Sequence, residues 1–136
     1  MDIVWSSFAL LYLISVPVFF VIDMAWLGVV AKNFYARQLG DLLGPVKWGA
    51  AIGFYLLYLV GVTLFASYPA FAAESLQQAF VYGSLFGFFT YMTYDMTNLA
   101  TLKSWPVTLV VVDVLWGTVL GAAVATATVA LALAIL

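Results

Sequence analysis

The stretch that decides the fold is IVWSSFALLYLISVPVFFVI, residues 3–22, which runs without a charge between Asp2 and Asp23. A helix needs roughly 20 apolar residues to cross the hydrocarbon core of a bilayer, and this stretch is just long enough. It lacks a basic start, and its apolar run is longer than the hydrophobic region of a signal peptide. We therefore expect a first transmembrane helix that is retained in the protein.

The rest of the chain repeats this pattern, and its composition excludes an ordinary soluble domain. Of the 136 residues, 67% are hydrophobic and 7% are charged, whereas soluble domains carry about 25% charged residues. Cutting the sequence at its charges predicts one all-α domain, residues 1–136, with four transmembrane helices. The expected spans are approximately residues 3–30, 48–67, 75–98 and 106–136.

The basic residues predict the orientation of this four-helix bundle. The lysines and arginines of the chain are Lys32, Arg37, Lys47 and Lys103, and all four fall in the first and third connections. The positive-inside rule places these connections in the cytoplasm and both termini outside. In the first connection, polar residues recur at helical spacing, which predicts a short cytoplasmic segment at the membrane interface.

Three of the expected spans carry two glycines four residues apart, a spacing that lets helix backbones approach closely in lipid. The pairs are Gly49 with Gly53, Gly83 with Gly87, and Gly117 with Gly121. We expect these pairs to pack the bundle tightly or to join two copies of the chain in a homodimer. Membrane lipids are the other expected partner. Nucleic acid is not expected, because a net charge of −2 gives no basic surface to bind it.

Three aspartates interrupt the expected spans at one depth. Asp23 and Asp95 lie toward the inner ends of spans one and three, and Asp113 lies near the inner start of span four. With about 1.5 Å of rise per residue, each lies within about 10 Å of the cytoplasmic boundary, so the three converge if they face the bundle axis. Polar and aromatic residues share the helix faces of the aspartates and complete the predicted site: Asn98, Trp26, Trp116 and Tyr91.

These carboxylates need compensation inside a membrane. An ionised aspartate in a span costs about 2.5–3.5 kcal/mol. We therefore expect one or two of them to stay protonated, or a cation to lie among them. Because the chain has no histidine and no cysteine, a metal ion held by Asp23, Asp95 and Asp113 would have to be a hard cation. The sequence indicates no organic cofactor.

Three interpretations of the carboxylates stay open. The first is a proton- or cation-linked site that binds or transports a small amphipathic molecule or a cation and opens to the cytoplasm. The second is a non-catalytic accessory or scaffold subunit in which the aspartates form hydrogen bonds between helices. The third is a lipid-modifying enzyme that uses them as acid and base, and it ranks last because the chain lacks histidine, cysteine and an evident nucleophile.

Several segments resemble a known family along the length of the chain. They read FFVIDMAWLG, FYARQLGDLL, TYDMTNLATLKSWP and VVVDVLWGT. The most specific part is Tyr-Asp-x-Thr-Asn at residues 94–98, and Asp-x-x-Trp occurs at residues 23–26 and 113–116. These segments resemble a bacterial family of small integral membrane proteins, domain of unknown function 2177. The resemblance implies a protein of the bacterial inner membrane with four spans, and it implies no particular activity.

Overall fold

The computed structural model describes residues 2–136, and this range contains helices and no strand. The first long helix is α1 (Trp5–Ala25), which a π-helical turn over Trp26–Val30 continues. A short helix, α2 (Phe34–Leu39), and a 3₁₀ turn, Gly40–Leu42, follow in the first connection. The expected interfacial segment therefore contains a helix of about two turns.

The second long segment continues through residues that the sequence places in a connection. It consists of α3 (Trp48–Val62), a second π-helical turn (Thr63–Ser67) and α4 (Tyr68–Ala72). The helix thus runs to Ala72, five residues past the expected end of span two at residue 67. In a regular α-helix, the ring of Pro69 would clash with the carbonyl four residues earlier. That carbonyl belongs to the wider π-turn, which ends two residues before Pro69 and accommodates the ring, so the helix does not end there.

The last two long helices are α5 (Leu76–Thr101) and α6 (Val107–Ile135), joined by a short loop. By length and composition, three segments of the described chain can cross a membrane: Trp5–Val30, Trp48–Ala72 and Val107–Ile135. Three of the four expected spans therefore have the properties of a transmembrane helix. Helix α5 is long enough as well, but its glutamines, threonines, asparagine and aspartate lower its hydropathy.

Helices α5 and α6 form the most extensive helix contact, and glycines make it close. A Cβ atom added to Gly83 would overlap the backbone of Gly121, and one added to Gly87 would overlap the backbone of Gly117. These two expected glycine pairs therefore face each other across the α5–α6 contact. No side chain larger than a hydrogen atom fits there without moving one of the helices.

The remaining helices pack onto this pair through a core of apolar side chains. Phe19 of α1, Leu59 of α3 and Leu120 of α6 are almost completely buried in it. At one end of the molecule, the hydroxyl of Tyr68 accepts a hydrogen bond of 2.8 Å from the backbone N–H of Val4. The start of α1 is thereby tied to the end of the second long segment.

Substituting a glycine of the α5–α6 contact is expected to destabilise the protein. In Gly87→Ala and Gly121→Ala, the added methyl group meets backbone atoms, which cannot rotate away. Overpacking of this kind costs typically about 1–3 kcal/mol. The measurement is the thermal loss of helical circular dichroism of the purified protein in a mild detergent.

The third expected glycine pair supplies a matched control. No atom of the described chain lies within 4 Å of a Cβ added to Gly49 or Gly53. Because alanine has a higher helix propensity than glycine, Gly53→Ala should leave the melting temperature unchanged or raise it slightly. Equal melting of Gly87→Ala and Gly53→Ala would contradict the close packing. The homodimer stays a prediction. Of the three glycine pairs, Gly49 with Gly53 is the pair that faces no other part of the described chain.

Candidate functional site

The three aspartates line one cavity of about 280 Å³. Asp95 lies six residues before the end of α5, Asp113 lies six residues after the start of α6, and Asp23 lies on α1, seven residues before Val30. The antiparallel contact of α5 with α6 therefore sets two of the carboxylates at the same height. The other lining residues are mostly aromatic: Trp26, Leu27, Tyr35, Leu39, Ala51, Phe54, Tyr55, Tyr91, Tyr94, Trp105, Leu109 and Trp116.

Asp95 is the most deeply buried of the three carboxylates. Its side chain is 0% exposed, and neither carboxyl oxygen makes a hydrogen bond to another group within residues 2–136. Its polar neighbours are the carboxyl group of Asp113 and the indole of Trp105, whose N–H is also buried and unpaired. Because a buried unpaired polar group costs roughly 1–3 kcal/mol, this arrangement does not stabilise the fold.

Asp113 is held by a hydrogen-bond chain that joins three elements. The hydroxyl of Tyr35, on α2, donates to Oδ1 of Asp113 over 2.8 Å and accepts from Nε1 of Trp26 over 2.9 Å. Burial raises the pKa of Tyr35, and the negative charge of Asp113 raises it further. The hydroxyl therefore keeps its proton and remains a donor. These two hydrogen bonds hold α2 at the end of the cavity, between α6 and the π-turn after α1.

Asp23 lies against an aromatic wall of the cavity. Its side chain is buried, and its polar neighbours are the hydroxyl of Tyr55 and the indole N–H of Trp116. The ring of Trp116 stacks on that of Trp26, with centroids 4.3 Å apart and an angle of 5° between the planes. Stacked indoles present flat π faces, the surfaces that attract cations most strongly among aromatic side chains.

The cavity is acidic and contains no basic side chain to balance its charge. Three of the residues that line it are aspartates, and none is a lysine or an arginine. In the described part of the chain, no three acidic side chains are arranged to hold a metal ion. The geometry therefore gives no support to a hard metal bound by all three aspartates. What it offers is negative charge surrounded by aromatic rings.

Most of the residues that the sequence places in the site line the cavity. They are Asp23, Trp26, Tyr91, Asp95, Asp113 and Trp116. Asn98 does not line it and instead neighbours Tyr94. Tyr35, Tyr55 and Trp105 also line the cavity, although none belongs to the site expected from the sequence. Trp105 follows the polar segment at residues 94–98 closely, so its position in the sequence is the signal that could have added it.

The fold and the cavity define a helical membrane protein with an acidic, aromatic-lined cavity between its helices. The model of the family described as "Predicted membrane protein (DUF2177)" matches residues 8–130. The chain therefore belongs to this family, and the resemblance seen in its sequence is confirmed. No curated protein and no solved structure matches the chain.

Replacing Tyr35 by phenylalanine is expected to loosen α2 from α6. The ring keeps its volume, but the hydroxyl that links Asp113 to Trp26 is lost. Hydrogen bonds to charged groups contribute about 1.5–3 kcal/mol, so Tyr35→Phe should melt at a lower temperature. The tryptophan emission spectrum should also change, because the Trp26 indole loses its acceptor.

Tyr82→Phe is the control for this measurement, since Tyr82 is 41% exposed on α5 and does not line the acidic cavity. We expect its melting temperature and emission spectrum to equal those of the wild type. If Tyr35→Phe behaves like Tyr82→Phe in both measurements, the hydrogen-bond chain does not hold α2 in place.

Proposed function

We propose that the chain is a four-span protein of the bacterial inner membrane whose acidic cavity binds a small cationic molecule in exchange for protons. The observation that carries the proposal is Asp95, which is fully buried and whose two carboxyl oxygens make no hydrogen bond to any group of the described chain. A carboxylate that served the fold alone would be paired, because an unpaired one is costly in a low-dielectric interior. The missing partner is positive, since the cavity contributes three aspartates and no basic side chain.

The contact of α5 with α6 supports α5 as the fourth span. Gly83 faces Gly121, and Gly87 faces Gly117, so the two helices lie side by side at one depth. If α6 crosses the bilayer, α5 lies in the same layer. Its 26 residues extend over about 39 Å, which exceeds the roughly 30 Å of a hydrocarbon core. Four crossings place both termini on one side of the membrane.

The distribution of lysine and arginine supports a cytoplasmic position for the cavity. Lys32, Arg37, Lys47 and Lys103 lie in the first and third connections. The same connections carry Tyr35 and Trp105, which line the cavity. By the positive-inside rule, the end of the molecule that holds the aspartates faces the cytoplasm.

The topology can be tested directly because the chain has no cysteine. Single cysteines are introduced as Asp2→Cys, Glu74→Cys, Lys47→Cys and Lys103→Cys. On spheroplasts, a membrane-impermeant maleimide is expected to label the first two variants, and to label the last two only after permeabilisation. Leu136→Cys should behave like Asp2→Cys. Labelling of residues 2 and 136 from opposite sides would mean an odd number of crossings and would overturn the four-span topology.

Exchange of a cation against protons follows from the crowding of the carboxylates. Asp95 and Asp113 are neighbours, and each ionised aspartate in a span costs about 2.5–3.5 kcal/mol. Without a cation, protonation lowers this cost. A cation replaces the protons when it binds, so protons compete with it and its affinity should rise with pH.

The binding test uses tetramethylammonium as a small organic cation. With radiolabelled probe and purified protein in non-ionic detergent, the wild type should bind more tightly as the pH rises from about 5 to about 9. Asp95→Asn should bind the probe much more weakly than the wild type, and this residual binding should not depend on pH. Equal affinity at all pH values would overturn the exchange with protons, and equal affinity of Asp95→Asn and the wild type would overturn the site.

Stability measurements on the same variants separate this proposal from a scaffold role. Asp113 favours the scaffold interpretation, because it accepts a hydrogen bond from Tyr35, and Asp113→Leu should lower the melting temperature. In the part of the chain that the structure describes, Asp95 makes no such bond, so Asp95→Asn should melt within a few degrees of the wild type while it loses binding. The scaffold interpretation would be favoured if Asp95→Asn lost much stability and the wild type did not bind tetramethylammonium.

A further inference from the structure

We propose that the ligand of the acidic cavity is an amphiphile with one hydrocarbon tail, whose cationic head lies at Asp95 and whose tail lies in an apolar groove between α3 and α5. This inference rests on the proposed function and names the class of its ligand. It joins two features of the molecule that share one wall, the acidic cavity and the groove beside it.

The acidic cavity opens sideways between α3 and α5. Helix α5 packs against the π-turn and α4 that follow α3, but it has little contact with α3 itself. Near the end of α3, the ring of Phe86 fills the space against Gly61 and Tyr58, with the Tyr58 and Phe86 centroids 5.4 Å apart. Closer to the aspartates, Phe54 and Tyr94 line the cavity and yet are 54% and 56% exposed. The cavity therefore reaches the outer surface between these two rings.

A groove of about 720 Å³ lies beside the cavity. Phe54 lines both the groove and the acidic cavity, so the two adjoin at this ring. Most of the other walls are apolar: Phe65, Leu85, Phe86 and Phe89. The threonines of the groove, Thr90 and Thr93, donate their hydroxyl groups to carbonyl oxygens of α5 itself. The groove thus offers hydrocarbon and aromatic surface, which suits an alkyl chain.

The acidic cavity sets the size and the charge of the head. Its volume of about 280 Å³ corresponds to about nine water molecules, at about 30 Å³ each. A substituted ammonium group fits this space, where carboxyl groups and aromatic rings, both of which attract cations, form the lining. A phosphate group would lie beside three carboxylates and be repelled by them. These constraints favour a single-tailed ammonium amphiphile over a phospholipid.

The test compares trimethylammonium probes that differ in the length of one alkyl chain. Tetramethylammonium, octyltrimethylammonium and dodecyltrimethylammonium each displace radiolabelled tetramethylammonium from the protein at one fixed concentration of maltoside micelles. The double variant Leu85→Ala/Phe89→Ala shortens two walls of the groove and leaves the acidic cavity unchanged. It should bind dodecyltrimethylammonium about tenfold more weakly than the wild type does, and tetramethylammonium within about twofold.

Phe80→Ala is the matched control, because Phe80 is 57% exposed on α5 but lines a different cavity, against α6. It should bind every probe as the wild type does. Comparing variants at one micelle concentration cancels the partitioning of each probe into detergent. Dodecyl sulfate, with the same tail and an anionic head, should not displace the label.

Each outcome bears on one of the two proposals. If the groove variant loses no more affinity for the dodecyl probe than for tetramethylammonium, the tail does not lie in the groove and this inference is overturned. Loss of tetramethylammonium binding in Asp95→Asn would still support the proposed function in that case. Displacement by dodecyl sulfate would overturn the cationic head. Failure of the wild type to bind tetramethylammonium would overturn the proposed function itself.

Discussion

The close contact of α5 with α6 at their glycines sets the position of the acidic cavity. The two glycines of α5 face the two glycines of α6, with no room for a side chain between the helices. A slip of one helical turn would break one of the two pairs and shift Asp95 by about 5.4 Å along α6 relative to Asp113. The proximity of these two carboxyl groups therefore depends on a packing contact in the middle of the helices, one to three turns away from them.

The two carboxylates that this contact brings together differ in their surroundings. Asp113 accepts a hydrogen bond from Tyr35, and it thereby connects α6 to a short segment outside the spans. Asp95, its neighbour on α5, makes no hydrogen bond within residues 2–136. The Asp113 carboxylate thus stabilises the fold, whereas burying the Asp95 carboxylate lowers the stability of the fold. The apolar core around Phe19, Leu59 and Leu120 and the glycine contact offset that cost elsewhere in the molecule.

Much of this arrangement can be predicted from the sequence, because membrane helices follow simple rules of length and direction. Counting residues from the charged connections predicts the common height of Asp23, Asp95 and Asp113, and the structure places all three around one cavity. Helical spacing also places Trp26 and Trp116 there. It does not predict that their rings stack, since the stacking depends on how α1 and α6 approach each other.

The residues that sequence reasoning misses depend on tertiary contacts. Helix α2 has six residues. The helical spacing of polar residues in this connection does not show which other helix its apolar face contacts, so Tyr35 carries no signal of its own. Asn98 follows Asp95 by three residues, yet it neighbours Tyr94 rather than lining the cavity. The helix continues past residue 67, the predicted end of span two, for a local reason. A proline usually marks a helix end, and here a π-turn precedes Pro69 and lets the helix continue.

Helix α3 shows why the cavity is open on one side. Its glycines Gly49 and Gly53 face no other part of the described chain, and its apolar residues Ile52 and Leu57 are exposed. In water, such a surface would be covered by collapse of the neighbouring helices, because exposed hydrocarbon is unfavourable. In a bilayer, lipid chains solvate it equally well, and there is no hydrophobic force to bring α3 onto α5. A membrane protein can therefore keep one pair of helices tightly packed while it leaves another pair apart, and the acidic cavity lies where these two kinds of contact meet.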